Sequence, residues 1–227
     1  SFAEIGVTTD IDLNFTLDIQ EAGLFTSADV TSVNNPTLVA GNTNTLFSIL
    51  PEADVIVEQD ELYQYLLSAI TTSLGSRDIT ISGTEDVGSM TITNDDTTIL
   101  SINADGSGDV FESNTITFTV TSSNPVDASF TASFTTSAGS TVIAAEASDY
   151  SANGGVLTLN FNGDDDEEKT ITVFAIDDDI VEVDEIFTLT LEDPQGMNAF
   201  VGGRLVAIDG SFGSADGTIE DTDFATI

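Results

Sequence analysis

A short run of the sequence crowds carboxylates directly before a strand pattern. Residues 176–189 read IDDDIVEVDEIFTL, and this stretch contains no Lys or Arg to neutralise the charge. Closely spaced carboxylates offer oxygen ligands to a hard metal ion such as calcium, which takes six to eight oxygens at roughly 2.3–2.6 Å. The carboxylates fill six of nine consecutive positions: Asp177, Asp178, Asp179, Glu182, Asp184 and Glu185.

The charge of the whole chain supports the same interpretation. Its 227 residues include 40 Asp and Glu against 3 Lys and Arg, which gives a formal net charge of −37. So few cations cannot neutralise the carboxylates through ion pairs, and such a surface repels nucleic acid and anionic lipid. The protein must therefore tolerate the repulsion, occupy a high-salt environment or bind metal ions.

The residue types that are missing narrow the choice of metal. The sequence has no Cys and no His, which excludes disulfides, thiolate sites and most zinc and copper sites. Oxygen ligands remain, and they favour calcium. No apolar run is long enough to span a membrane. The chain begins at Ser1 and not at Met, so we interpret it as a mature product or as a piece of a longer protein.

Alternation of apolar and polar residues predicts the strands that position these carboxylates. Turn-forming clusters of Asn, Asp, Gly and Pro separate the alternating runs, which is typical of an antiparallel β-sandwich. Residues 62–74 (LYQYLLSAITTSL) fit either a strand or a helix by periodicity alone. The alternating runs cover residues 11–19, 116–120, 130–134, 157–161, 171–173 and 187–191, and a further strand is predicted around residues 99–102.

An internal repeat resolves the ambiguous segment. IVEQDELY begins at Ile56 and IVEVDEIF begins at Ile180, so the two copies are 180 − 56 = 124 positions apart. The match predicts that residues 63–67 form a strand. Weaker pairs in the same order show growing offsets, as loop insertions in the second copy would produce. We therefore predict two tandem domains, residues 1–97 and residues 98–227.

The second repeat resembles a Calx-beta domain. The resemblance rests on the SDY motif at 148–150, the hairpin LNFNG at 159–163, the core KTITVFAIDDDIVEVDEIF at 169–187 and the acidic end EDTD at 220–223. It covers nearly all of the second repeat and implies an all-β protein of two tandem immunoglobulin-like antiparallel β-sandwiches that bind calcium at one end. The first repeat resembles the family more weakly, through VIVEQDELY and NDD.

The resemblance also implies which residues bind calcium. In the second repeat Thr222 interrupts the all-Asp terminal run of the family, which removes one carboxylate ligand. The resemblance does not assign Asp179 or Asp184. The implied ligands of the second repeat are Glu112, Asp149, Asp177, Asp178, the carbonyl of Ile180, Glu182, Glu185, Asp221 and Asp223.

The matching positions define a weaker site in the first repeat. Ala53 stands where Asp177 stands in the second copy, so a central carboxylate is lost. The strand that should precede Glu4 is also missing, which leaves open either a cut from a longer array or a strand supplied by another copy, as in donor-strand filaments. The implied ligands are Glu4, Asp29, Asp54, Glu58, Glu61, Asp95 and Asp96.

The remaining acidic and glycine-containing segments are interpreted as turns without a binding role. Residues 164–168 (DDDEE) are predicted to be a solvated hairpin turn, and residues 209–210 and 214–217 to be turns. The segment 105–112 has Val110 where an EF-hand loop requires Gly, so an EF-hand is rejected. Arg77 and Arg204 are rare cations to which the sequence assigns no role.

Three functions compete at this stage. The first is a calcium-rigidified segment of a secreted or cell-surface protein, such as a bacterial adhesin or a filament subunit, whose partners are calcium and neighbouring repeats or other copies. The second is a regulatory calcium-sensing module. The third, a two-carboxylate glycosidase, needs carboxylates in settings that separate their pKa values, whereas these cluster at polar strand ends. We expect an extracellular, non-enzymatic protein.

Overall fold

The computed structural model is all-β in the residues it describes, which are 12–22, 30–33, 35–71, 81, 87–106, 108–139, 144–152, 158–192, 199–201 and 204–225. The predicted fold class is thereby confirmed. Within these residues no helix has the length and apolar character that a membrane crossing requires. The chain divides into two compact units, of which one contains residues 1–54 with 60–94 and the other residues 55–59 with 95–227.

The first unit contains a four-stranded antiparallel sheet and a separate strand pair. The sheet has the order β3-β1-β5-β6, and β2 pairs with β4. Leu13, Phe15 and Leu38 form its buried cluster, against which Leu67 and Ile70 pack. Residues 62–71 of the segment that fitted either structure by periodicity lie in the strand β5, as the repeat predicted for residues 63–67, and residues 72–74 lie outside the described residues. The strands are β1 (Leu13–Ala22), β2 (Val30–Val33), β3 (Thr37–Leu38), β4 (Ile49–Pro51), β5 (Glu61–Thr71) and β6 (Val87–Ile92).

Eleven further strands form the two sheets of the second unit. One sheet has the order β12-β10-β14-β17-β8 and the other β11-β13-β9-β7-β16-β15. The strands are β7 (Thr98–Ala104), β8 (Asp109–Phe111), β9 (Thr115–Ser122), β10 (Phe130–Ala138), β11 (Tyr150–Ala152), β12 (Thr158–Phe161), β13 (Glu168–Ala175), β14 (Glu185–Glu192), β15 (Ala199–Val201), β16 (Arg204–Ile208) and β17 (Ser214–Glu220).

Two strand pairs of this sandwich are parallel, not antiparallel as predicted. β7 pairs with β16 in one sheet and β8 pairs with β17 in the other, both in parallel register. The chain changes sheets between β7 and β8, where Gly106 and Gly108 have φ values of 67° and 79°. Glycine adopts this left-handed region without the clash that a Cβ causes, so the chain can leave one sheet and enter the other within a few residues.

A single apolar core fills the space between the two sheets. Phe118 and Phe187 meet edge to face with their ring centroids 5.9 Å apart, and Tyr150 stacks on Phe187 at 4.8 Å. Phe118 and Phe187 are fully buried, and each such side chain contributes about 1.5–3 kcal/mol through the hydrophobic effect. Because Tyr150 is anchored in this core, its neighbour Asp149 is held at the end of the sandwich.

The predicted turn at residues 214–217 is wrong, because these residues begin β17. Gly217 lies opposite Phe187 in the ladder with β14, and a Cβ on Gly217 would come within 2.4 Å of the Phe187 ring. The neighbouring Asp216 accepts a hydrogen bond of 2.6 Å from the Thr188 hydroxyl. Residues 214–217, whose small and polar side chains had indicated a turn, therefore fit in a strand because the large Phe187 side chain fills the space opposite Gly217. Residues 209–210 do begin a turn, as predicted.

The acidic turn at residues 164–168 contains one residue that is not solvated as predicted. Glu167 is buried and accepts hydrogen bonds from the backbone N–H groups of Asn162 and Gly163, and it pairs with Lys169 at 2.6 Å. Burial alone would raise its pKa, but the bonds from Lys169, Asn162 and Gly163 lower the pKa below the ordinary value. Glu167 therefore holds the turn together from inside.

Candidate metal centre

Four segments of the second unit meet at one end of the sandwich. They are the β8–β9 turn, the start of β11, the loop between β13 and β14, and the residues after β17. Backbone hydrogen bonds join them: Glu112 N–H donates to Glu220 O at 3.3 Å, and Ile176 N–H donates to Asp149 O at 2.8 Å. Strand ends that are far apart in sequence thus bring their carboxylates to one place.

Glu112 is the carboxylate that links the two halves of this centre. Its oxygen lies within 4.8 Å of carboxylate oxygens of Asp178 and Glu182, and a second group with the same spacing joins it to Asp221 and Asp223. Glu112 is only 7% exposed although it is charged, and charged side chains are rarely buried unless they are paired or bind a metal. The two three-carboxylate groups thus share one member, and carboxylate oxygens are ligands that calcium prefers.

Backbone and hydroxyl groups orient these carboxylates. The N–H of Ile180 donates to Asp178 Oδ1 at 2.7 Å, and the N–H of Glu182 donates to Asp221 Oδ2 at 3.2 Å. The N–H of Asp223 donates to Asp221 Oδ1 at 3.1 Å. The bond from Glu182 to Asp221 joins the loop between β13 and β14 to the residues that follow β17, and the other two bonds orient Asp178 and Asp221 within their own segments.

Asp149 and Glu185 interact through their carboxyl groups beside the two groups. Asp149 accepts hydrogen bonds from the N–H of Glu146 and the hydroxyl of Ser148. Burial, the hydrogen bond with Asp149, and then the charges of Asp149, Glu182 and Glu146 raise the pKa of Glu185 from 4.5 to about 7. Burial and the neighbouring carboxylates thus place the pKa of Glu185 near neutral pH.

The same repulsion acts on other members of the centre. Burial and the charges of Asp178, Asp149, Glu112 and Asp221 raise the pKa of Glu182. Burial and the charge of Asp221, followed by those of Asp179, Asp177 and Asp178, raise the pKa of Asp223.

The residues present fit calcium. Asp223 Oδ2 is buried and has no hydrogen-bond partner among the described residues, so it can accept a cation without breaking a bond. All the groups that converge are oxygens, and no nitrogen or sulfur ligand competes with them. A divalent cation would also relieve the repulsion that raises the pKa values of Glu182, Glu185 and Asp223.

The structure brings most of the predicted second-repeat residues together. Asp177 belongs to neither group of three, but its charge acts on Asp223. The exposed Ile180 contributes its N–H to orient Asp178. Sequence analysis missed Glu146, whose charge acts on Glu185 and whose N–H positions Asp149; its place three residues before Asp149 was the available signal. Five predicted residues form the two groups of three, namely Glu112, Asp178, Glu182, Asp221 and Asp223.

The predicted site of the first repeat stays a prediction. Glu4 and Asp29 lie outside the described residues. Asp54, Glu58, Glu61, Asp95 and Asp96 belong to neither of the three-carboxylate groups found in the described part of the chain. Glu61 is buried, and the charge of Glu58 acts on the guanidinium of Arg204.

A model of the Calx-beta domain matches residues 93–223, which is more than half of the chain and includes every strand end that forms the centre. The chain belongs to the Calx-beta family. Calx-beta domains bind calcium, so the convergence of carboxylates in this Calx-beta unit agrees with the chemistry of its family. The predicted resemblance is therefore confirmed.

Solved structures of Calx proteins are similar to this Calx-beta chain. The crystal structure of the apo form of the Calx CBD1 domain has 21% identity and a TM-score of 0.42, and the match covers 56% of this chain and 100% of that chain. The crystal structure of CBD12 from CALX1.2 has 12% identity and a TM-score of 0.38 over 94% and 90% of the two chains. The calcium binding domain CBD12 of CALX1.1 has 15% identity and a TM-score of 0.37 over 93% and 88%. Among curated proteins, none matches the sequence significantly.

Proposed function

We propose that this chain is a calcium-rigidified structural segment of a secreted or cell-surface protein, in which bound calcium holds the end of the second sandwich closed. The observation that carries the proposal is the position of Glu112, which both three-carboxylate groups share. Glu112 would bridge two ions, Asp178 and Glu182 would hold one, and Asp221 with Asp223 would hold the other. The bound calcium supplies positive charge, and the chain supplies the preformed set of oxygens.

The physical reason for rigidity is the repulsion that calcium would remove. Each close pair of carboxylates near the surface costs on the order of 1–4 kcal/mol at 4 Å without a cation. Four segments carry such pairs, and hydrogen bonds join those segments at this end. Bound calcium would neutralise the carboxylates that repel one another and would cross-link the four segments at this end of the sandwich. The small number of cations, 3 Lys and Arg in 227 residues, means that the chain has few other means of neutralisation.

Thermal unfolding with and without calcium tests this function. If free calcium exceeds the Kd a thousandfold, each site stabilises the folded state by about 4 kcal/mol, so the midpoint of the second unit should rise by several degrees. A calorimetric titration should give at least two ions per chain. An unchanged midpoint, or fewer than two ions bound, would contradict the proposal.

The affinity separates this function from regulatory sensing. A structural segment outside the cell meets millimolar calcium and needs only a Kd of about 10⁻⁴–10⁻³ M, whereas a sensor needs about 10⁻⁷–10⁻⁵ M. We expect the weaker range, without a large change in the radius of gyration on binding. Small-angle scattering with and without calcium measures that change directly, and a large compaction with micromolar affinity would favour the sensor.

A further inference from the structure

A short segment that follows β4 folds as part of the second unit. Residues 55–59, hereafter the docking segment, belong to that unit although the residues on either side of them belong to the first. Val57 is completely buried there and joins the core of the second sandwich. Its N–H donates to Pro125 O at 2.9 Å, its carbonyl accepts from Asp127 N–H at 3.2 Å, and it forms a parallel bridge with Val126.

Val57 pairs with residues 125–127, which Gly163 contacts from the other side and which are hereafter called the acceptor edge. Val126 N–H donates to Gly163 O at 2.9 Å, and a Cβ on Gly163 would come within 2.1 Å of Val126 O. Arg204 pairs with Asp127 through both ends of the carboxylate. The hydrogen bond with Asp127 raises the pKa of Arg204, burial lowers it, and the charges of Asp127 and Glu58 raise it further. The acceptor edge thus buries the Val57 side chain and bonds its backbone. The charge of Glu58, the next residue, acts on Arg204.

The sequence of the docking segment recurs in the loop between β13 and β14, where it is not buried. Ile56, Val57 and Glu58 correspond to Ile180, Val181 and Glu182 by identity. Val57 is 0% exposed, whereas Val181 is 53% exposed. Phe224, directly after the candidate ligand Asp223, is also exposed. Val181 thus exposes to solvent the same side chain that Val57 buries in the core.

We propose that residues 179–183 are a second docking segment, which inserts Val181 into the acceptor edge of another sandwich unit of this kind. The partner must offer a backbone carbonyl and a backbone N–H two residues apart, on either side of an apolar pocket. A guanidinium must lie beside that pocket. Residues 125–127 and Arg204 provide these groups. The inference deepens the proposed function, because calcium must first neutralise the carboxylates around Val181 before an acidic unit can approach.

The inference can be tested on the full chain with a substitution that removes Val57 from the acceptor edge. Val57→Asp places a carboxylate in the apolar pocket beside Asp127 and should expel the docking segment, which leaves the edge free for Val181 of a second chain. In calcium this variant should self-associate head to tail as its concentration rises from about 10 to about 500 µM, a range that brackets weak interfaces. Sedimentation velocity should show the wild type unchanged over this range and the variant shifting from monomer to larger species.

Two double variants identify the surface that is responsible. Val57→Asp with Val181→Ser should remain monomeric, because the inserted side chain is lost. Val57→Asp with Val183→Ser is the matched control: Val183 is as exposed as Val181 but corresponds to Gln59, so association should persist. A folded Val57→Asp variant that stays monomeric would overturn the inference, and so would association that survives Val181→Ser.

Folding and calcium binding are measured on the same samples. If circular dichroism shows that Val57→Asp is unfolded, Val57→Ser is used in its place. A folded Val57→Ser variant that stays monomeric, or association that survives Val181→Ser, would then overturn the inference. A calorimetric calcium titration then separates the two proposals. Normal calcium binding without association contradicts only the docking segment, whereas loss of calcium binding in the wild type contradicts the proposed function as well.

Discussion

Thr222 donates two hydrogen bonds to the Glu112 carboxylate, one from its backbone N–H at 3.3 Å and one from its hydroxyl at 3.1 Å. The two residues are 110 positions apart and follow the parallel strands β17 and β8. Thr222 departs from the acidic run of its family, which removes a charge from the centre. In exchange it fixes the orientation of the carboxylate that both groups share.

The Thr222 hydroxyl should therefore matter for calcium affinity without touching the ion. Thr222→Ala removes one of the two bonds to Glu112, and loss of such an orienting partner typically weakens metal binding about 10-fold or more. Calorimetric titration measures the change. Thr222→Ser keeps the hydroxyl and should bind almost as the wild type does; an Ala variant with wild-type affinity would show that Glu112 needs no such support.

Glu112 itself should be indispensable to both groups. Glu112→Gln keeps the shape but replaces a bridging carboxylate by a neutral amide, so both ions lose a ligand. We expect at least a 30-fold loss of affinity, which corresponds to about 2 kcal/mol, and a smaller calcium-induced rise in the unfolding midpoint. Glu192→Gln, on the exposed far end of β14, is the matched control and should titrate normally. Loss of one ion with retention of the other at full affinity would contradict the shared role.

The pH dependence of the calcium-free protein follows from Glu185. Its pKa is raised from 4.5 to about 7 in the folded state, so between these values the folded chain binds more protons than the unfolded chain. The stability that this proton provides is fully present below about pH 4.5 and is lost as pH rises to about 7. Thermal unfolding of the calcium-free protein should therefore show a falling midpoint between pH 5 and about pH 8.

Two comparisons isolate that effect. Glu185→Gln cannot ionise, so its calcium-free midpoint should fall less steeply over the same range. Saturating calcium should oppose the fall, because the ion competes with the proton for the same oxygens. Equal slopes for the wild type and Glu185→Gln would assign the dependence to other carboxylates.

The ion pair at the opposite end should contribute to stability without calcium. Arg204 is buried, and Asp127→Ala would remove its closest carboxylate, which typically costs about 3 kcal/mol when a buried charge loses its partner. Urea unfolding measured in calcium and in its absence should give the same difference from the wild type. Asp165→Ala, in an exposed turn, should leave the unfolding midpoint unchanged. A loss that depended on calcium would instead link this pair to the metal centre.

The strands of this protein were predictable because their cause is local. Alternation along the chain decides which face of a strand is apolar, and the runs at 116–120 and 187–191 lie in β9 and β14 as predicted. For residues 62–74 the period was ambiguous, and the repeat decided correctly because Tyr63 occupies the buried position that Phe187 occupies in the second copy. Motif and order also predicted the carboxylates that form the two groups of three, and their role as calcium ligands stays a prediction.

The failures of prediction have non-local causes. Gly217 belongs to a strand because the Phe187 ring fills the space above it across the ladder, and no pattern within residues 214–217 contains that information. Glu167 is buried because two backbone N–H groups and Lys169 converge on it. The burial of Val57 depends on residues 125–127, about 70 positions away along the chain, so its sequence copy at Val181 could not reveal the difference in exposure.

The sheet change between β7 and β8 has a mechanical consequence. β8 and β17 run in the same direction, so a tension that pulls residue 95 and residue 225 apart drags the two strands past each other. Their cross-strand hydrogen bonds then carry the load at the same time, whereas the bonds of a hairpin pulled open from one end break singly. Glu112 and Asp221 directly follow these strands, so an ion held between them would add a cross-link at the point where sliding must begin. If calcium binds there, the unit should resist stretching more strongly than it does without the ion.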